Sequence, residues 1–158
     1  MPIPQFLTAP LLLGLLLLGS GCSTLRTPPA SDAAEKAAVV ATARQLLGIP
    51  YHYGGSTPES GFDCSGLVQY SYHQAGLAVP RTSKQQYRQA QPVNRRHLQP
   101  GDLIFFRNRY GSFVSHVGIY LGKGEFIHAP SSDKKVAINR LDEAYWKKHF
   151  YSAGRIHQ

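Results

Sequence analysis

Ser115-His116-Val117-Gly118-Ile119-Tyr120-Leu121-Gly122-Lys123-Gly124-Glu125-Phe126-Ile127-His128-Ala129 encodes two short β-rich runs around a glycine-rich turn. Val, Ile, Tyr and Phe fill the runs, and Gly-Lys-Gly supplies residues that tolerate the turn of a tight hairpin. Pairing about that turn opposes residues whose numbers sum to near 246. His116 then faces residue 130, about one diagonal step from His128 on the same face, and a one-residue bulge would change the register. A catalytic base and the group that orients it need this proximity: one imidazole takes a proton and the other fixes its tautomer.

Outward from the hairpin, 103–107, 136–139 and 151–156 are further β-rich runs bounded by turn residues, with one or two helical turns at 142–148. On the N-terminal side, 33–47 reads as a helix. Ala34, Ala37, Ala38, Ala41, Leu46 and the Val39/Val40 pair recur at helical spacing, Asp32 is a candidate N-cap, and Gly48 and Pro50 stop it. The segment 51–61, with three Gly and one Pro, is expected to be an irregular loop. A second helix is expected over 64–75, capped by Asp63, with Leu67, Val68, Tyr72 and Ala75 in one stripe; 83–90 reads as a short polar helix. Helices first and strands later indicate an α+β domain, its N-terminal helices packed on a mostly antiparallel sheet of five to six strands.

The chain begins with an address. Residues 6–19 are nearly all apolar, too few for the ~20 residues of a spanning helix and suited to a secretory signal. Gly19-Ser20-Gly21 followed by Cys22 resembles a bacterial lipobox, which implies cleavage before Cys22 and a lipid on its sulfur. The pattern departs from a lipobox in two places. The leader has no Lys or Arg, and Gly19 stands where Leu is usual, so an ordinary secretory signal is the alternative. Residues 23–32 are rich in Pro, Ser and Thr and read as a tether. Ser23 after the Cys matches outer-membrane lipoproteins. The expected division is signal peptide 1–21, lipidated Cys22 with a tether to 32, and a catalytic domain over 33–158.

With 17 Lys plus Arg against 9 Asp plus Glu, the formal charge is +8, all of it downstream of residue 21. A basic body invites nucleic acid as partner. The exported compartment argues against that, as does the scatter of Arg81, Lys84, Arg88, Arg95, Arg96, Arg107 and Arg109 over loops and strands. An anionic wall or lipid surface is the better counterpart. Two cysteines are too few for a disulfide framework.

Cys64 is the lone thiol once Cys22 is lipidated. Its expected place is the first turn of a helix, where the macrodipole favours a thiolate nucleophile. Asp63 opposes this unless its charge is directed into backbone N–H groups. The alternative is a small buried hydrophobe. His52, His73, His97, His149 and His157 are expected to be surface or packing residues. The sequence lacks His-Glu-x-x-His and His-x-His, so no metal is expected, with a Cys64/His116/His128 zinc site as the minor alternative.

Taken in order, several segments resemble the NlpC/P60 family of cell-wall cysteine peptidases. They are Gly48-Ile49-Pro50-Tyr51-His52-Tyr53-Gly54-Gly55, Phe62-Asp63-Cys64-Ser65-Gly66-Leu67-Val68-Gln69, Pro80-Arg81-Thr82-Ser83 with Gln86, Gln99-Pro100-Gly101-Asp102-Leu103-Ile104-Phe105-Phe106, and the hairpin quoted above. The resemblance implies a papain-like fold with Cys64 as nucleophile, His116 as base and His128 as third polar residue, and no cofactor. It implies that the Tyr51 hydroxyl helps form the oxyanion site, with Tyr53 as the alternative. Asp63 and Ser65 would contact the amine of a peptide substrate. Arg81 would face its carboxylates or remain a solvated loop cation. The implied partner is peptidoglycan, cut at the D,D bond between diaminopimelate and D-Ala or at the γ-D-Glu–diaminopimelate bond. A leader before a single catalytic domain is similar to the small outer-membrane murein endopeptidases of Gram-negative bacteria. That implies a monomer anchored by lipid on the periplasmic face of the outer membrane. A non-catalytic wall-binding lipoprotein is the competing class.

Overall fold

The computed structural model describes residues 32–108 and 113–157. The expected signal segment, Cys22, most of the tether, and Arg109 lie outside the described residues. In chain order the elements are α1 (Asp32–Gln45), β1 (Ser56–Thr57), β2 (Gly61–Phe62), α2 (Cys64–Gln74), α3 (Ser83–Gln89) and β3 (Gln91–Pro92), then a 3-10 turn at Arg95–His97. They continue with β4 (Leu103–Arg107), β5 (Val114–Gly122), β6 (Glu125–His128), β7 (Ala137–Arg140), α4 (Ala144–His149) and β8 (Phe150–Arg155).

In α1, Asp32 sits within the first turn beside Glu35 rather than preceding it, and Arg44 lies in the last turn. Each charge opposes the local end of the helix dipole. Val39 and Ala43 are its buried face. At α2, Asp63 is extended and its Oδ1 accepts from the Gly66 N–H at 2.7 Å, the N-cap that starts the helix. Leu67, Val68 and Tyr72 are buried, and the Tyr72 hydroxyl donates to the Gly101 carbonyl at 2.6 Å. That bond ties α2 to the turn leading into β4.

The segment 51–61 is more ordered than its Gly and Pro content suggested. Ser56 pairs with Phe62 and Thr57 with Gly61, making a two-stranded hairpin. Ser60 closes it through its hydroxyl, which accepts from the Thr57 N–H at 3.2 Å. Local side-chain bonds, not strand propensity, order this turn.

The main sheet has six strands in the order β3-β8-β4-β5-β6-β7, every neighbour antiparallel. β3 carries no β-rich signal. It lies at the sheet edge, where a proline without an N–H is tolerated. The β5–β6 register is Ile119 with Ile127 and Tyr120 with Phe126, then shifts so that Gly122 meets Glu125. Lys123 (φ 52°) and Gly124 (φ 81°) form the turn with two positive φ values, matching the sheet twist.

Strand alternation splits the core into two. Leu103 and Phe105 face α1 and α2, with Val39, Leu67, Val117 and Ile127. Ile104 and Phe106 face the other way, with Phe126, Leu141, Ala153 and Trp146 of α4. Full burial of side chains of this size stabilises by ~1.5–3 kcal/mol each. Asp102, fully buried, joins β8 to the start of β4: Arg155 donates Nε to Oδ1 at 2.7 Å and Nη2 to Oδ2 at 2.9 Å.

Candidate active site

Cys64 is the first residue of α2, and its side chain packs at the margin of the larger core. The backbone N–H groups of Val117, Ser65 and Cys64 itself are directed at its sulfur. Val117 lies on β5 directly after His116, so the helix start is docked on the strand that carries the predicted base. This docking requires Gly66: a Cβ there would collide with the Gly55 carbonyl oxygen and come within 3.1 Å of Asp63 Oδ1.

Asp63 is a hub. Its Oδ1 accepts from Gly66 N at 2.7 Å, Ser65 Oγ at 3.2 Å and Arg81 Nη1 at 2.9 Å. Its Oδ2 accepts from Gly54 N at 3.0 Å and Arg81 Nη2 at 2.7 Å. The charge beside the nucleophile is thus directed into donors, as the cap role requires. Burial alone would raise the Asp63 pKa, but Arg81 and the Gly66 and Gly54 N–H groups outweigh it and hold the carboxyl below its usual range. Arg81 also donates to Ser65 Oγ at 3.0 Å and to the Gly55 carbonyl at 3.3 Å. Its guanidinium is therefore a forked brace on Asp63, not a solvated loop cation. Buried Gln86 completes this half, donating to the carbonyls of Ser65 at 3.0 Å and Pro80 at 2.8 Å.

Tyr51 packs against the same core as Cys64. Burial first, then the charges of Cys64 and Asp63, raise its pKa, so the phenol stays a donor. Tyr53 is 85% exposed. Of the two tyrosines, Tyr51 is the one packed on the core beside Cys64.

The second half lies on the sheet. His116 Nε2 meets His128 Nδ1 at 2.7 Å, and His128 Nε2 meets Asn139 Oδ1 at 2.8 Å. The register explains the line. His128 sits opposite Gly118, one diagonal step from His116, as the turn geometry required. Asn139 sits opposite Phe126, again one diagonal step from His128. Gly118 keeps this face open, since a Cβ there would fall 2.8 Å from the Phe126 ring. Trp146 covers the pair: its ring stacks on His116 at 5.6 Å and 27° and stands edge-on to His128 at 4.7 Å and 89°. His116 also lines a groove of about 550 Å³ with Phe106, Arg107, Asp133, Asn139 and Trp146. Cys64 is not among its walls.

Burial governs the titration of both halves. It pushes the Cys64 thiol up, and Asp63 adds to this; the three N–H groups at the sulfur oppose the shift without cancelling it. A thiolate from helix position alone is therefore not what the site holds at rest. Burial and then the neighbouring His128 hold His116 well below 6.5. Burial takes His128 down to about 4, against the Asn139 hydrogen bond and the charges of Asp133 and Glu143. The thiol shifted up and the imidazoles shifted down leave all three groups uncharged at neutral pH.

Sequence reasoning missed Asn139, Glu143 and Trp146. Trp146 had one signal, as the single tryptophan of the chain. Among the described residues, no cluster of three or more His, Cys, Asp or Glu is arranged to hold a metal ion.

Known proteins are similar to the chain over most of its length. MepH of Escherichia coli (strain K12), a murein DD-endopeptidase, is 44% identical over 115 residues, covering 71% of this chain and 42% of its own. The gamma-DL-glutamyl hydrolase of Bacillus subtilis (strain 168) is 47% identical over 119 residues, 75% of this chain and 29% of its own. The crystal structure of a lipoprotein-like NLP/P60 family protein from Staphylococcus aureus superposes with a TM-score of 0.73 at 37% identity, over 84% of this chain and 45% of that one. The chain spans less than half the length of these relatives. Residues 48–155, which carry both halves of the site, match the NlpC/P60 family, and the chain belongs to it.

Proposed function

We propose that the chain is a cysteine-type peptidoglycan endopeptidase acting by acyl transfer. One observation carries this reading: the capped start of α2 sets Cys64 against the strand that presents the His116–His128 pair. The Cys64 thiol gives its proton to His116 as Sγ attacks an amide carbonyl of a murein peptide. The Cys64 N–H and Tyr51 hydroxyl donate to the oxyanion, each such donor being worth ~3 kcal/mol. His116 passes its proton to the leaving amine as the C–N bond breaks. Water then cleaves the thioester, giving one proton to His116, which returns it to the sulfur.

The preferred bond is the D,D link between diaminopimelate and D-Ala, the class named for the E. coli relative. The B. subtilis relative, named for γ-DL-glutamyl hydrolysis, supports the γ-D-Glu–diaminopimelate bond as the second reading. Purified protein incubated with sacculi, followed by mass spectrometry of the released fragments, separates the two. Cys64→Ala and His116→Ala are expected to release nothing; release by Cys64→Ala at the wild-type rate removes the mechanism, and no release by the wild type leaves a wall-binding module.

The same reading makes Cys22 a lipid anchor on the periplasmic face of the outer membrane, with the catalytic body a monomer held at the wall. Labelled palmitate incorporated by the wild type and not by Cys22→Ala is the expected result. Among the described residues no helix is long and apolar enough to cross a membrane.

A further inference from the structure

The imidazole pair does not end at His128. Asn139 Nδ2 donates to Glu143 Oε2 at 2.9 Å, while Glu143 Oε1 accepts from the Arg140 backbone N–H at 2.6 Å. Both carboxylate oxygens are therefore engaged, and the main chain at the end of β7 fixes the group in place. A carboxylate only accepts hydrogen bonds. The Asn139 amide must therefore turn its NH2 to Glu143 and its oxygen to His128. That oxygen only accepts, so His128 Nε2 carries the hydrogen. A neutral imidazole has one N–H, so His128 Nδ1 is a lone pair, and the His116 nitrogen 2.7 Å away must donate to it. His116 then carries its hydrogen on Nε2 and keeps a lone pair on Nδ1. Nδ1 is the ring nitrogen nearer the main chain, and the next main-chain N–H, that of Val117, is directed at the Cys64 sulfur.

We propose that Asn139 and Glu143 are positioning residues that set the tautomer of the base: the line Glu143–Asn139–His128–His116 leaves Nδ1 of His116 as the only lone pair in the pair of rings open to the Cys64 proton. Neither residue touches the reacting atoms. The line rests on the assignment of His116 as base, but the tautomers it dictates exist whether or not the protein turns over. Among the described residues, the charged and titratable groups facing the pair are Asp133 from the loop after β6, Glu143 at the start of α4, and Arg107, Tyr145 and His149 at the groove wall.

The test uses the full chain with 15N-labelled histidine. Ring-nitrogen shifts are expected to report Nε2–H for both His116 and His128 in the wild type and in Cys64→Ala. In Asn139→Leu, of similar size but without an acceptor, the His116 signal shifts toward a mixture of tautomers. On a murein peptide, kcat falls at least about tenfold with KM within about twofold, less than the ~10⁴ of a directly bonded orienting carboxylate. The double variant Asn139→Asp/Glu143→Gln reverses the polarity of the link while keeping every bond. The new carboxylate at position 139 accepts from His128 and from the new amide at position 143, whose oxygen accepts from the Arg140 N–H. This variant is expected to restore the single His116 tautomer and most of kcat, and to move the acid limb of the kcat profile upward, because a carboxylate beside His128 favours its protonation. A merely structural link would lower the melting temperature of Asn139→Leu without changing the tautomer or the pH profile. Wild-type ring shifts in Asn139→Leu overturn the proposal. Failure of the wild type to cleave murein removes the proposed function and leaves the tautomer result standing.

Discussion

The two halves of the site are built on opposite principles. Around Cys64, five donors converge on one carboxylate, and the bonds run between residues 54 and 81. Around His116, three strands and a short helix enclose two uncharged rings in an aromatic box of Phe106, Phe126 and Trp146. The first half holds a charge in place by neutralising it; the second keeps charge out by burial. An acyl-transfer site needs both, because a nucleophile must be aimed and its base must remain unprotonated until the proton arrives.

The halves can be separated experimentally. The largest effect is expected for Cys64→Ala, with turnover on sacculi falling by about 10⁴ or more while the melting temperature stays near wild type. Tyr51→Phe, which removes one proposed oxyanion donor from the nucleophile half, is expected to lower kcat roughly 100-fold. Tyr53→Phe is the control; that loss appearing there and not in Tyr51→Phe would exchange their roles.

Acid unfolding distinguishes the halves by pH window. His128 has a folded pKa of about 4, depressed from 6.5, so the unfolded chain binds its proton first as pH falls. Stability is whole above pH 6.5 and is lost as pH drops toward 4, by roughly 3 kcal/mol for this group. A melting series should show that decline, and His128→Gln should make it shallower, leaving the part that the depressed His116 contributes. Asp63, depressed below 3.8, works in a lower window: its contribution is whole above the unfolded value and is lost as pH falls through the folded one. Asp63→Asn keeps the cap but weakens the pair with Arg81, which is one-third exposed. About 1 kcal/mol of stability is expected to go, with loss of the decline below pH 3.8. A single acid transition shared by both variants would mean the two halves unfold as one electrostatic unit.

How much of this was legible varied with distance along the chain. The α2 start was readable because Asp63 and Gly66 lie within one helical turn, and capping is a local matter. The β5–β6 hairpin was readable because Lys123 and Gly124 dictate the turn, the turn dictates the register, and register placed His116 and His128 one diagonal apart. Arg81 was visible as a cation but not as a brace, since its partner lies 18 residues away, on the far side of α2. Asn139, Glu143 and Trp146 were invisible as a group. Their meeting depends on how β7 pairs with β6 and how α4 folds over the sheet, and no periodicity records either. The edge strand at Gln91–Pro92 carries no propensity signal, and its pairing comes from Gly154 and Arg155.

Residue order alone specified the helix cap, the turn, the alternation that divides the sheet into two faces, and the identity of the thiol and the two imidazoles. These follow from periods and caps that operate over a few neighbouring residues. Tertiary structure decided the rest: which cation Asp63 holds, which hydrogen each histidine carries, and that thiol and imidazoles rest uncharged. Those properties depend on burial and on partners from distant strands, and neither exists until the chain has folded.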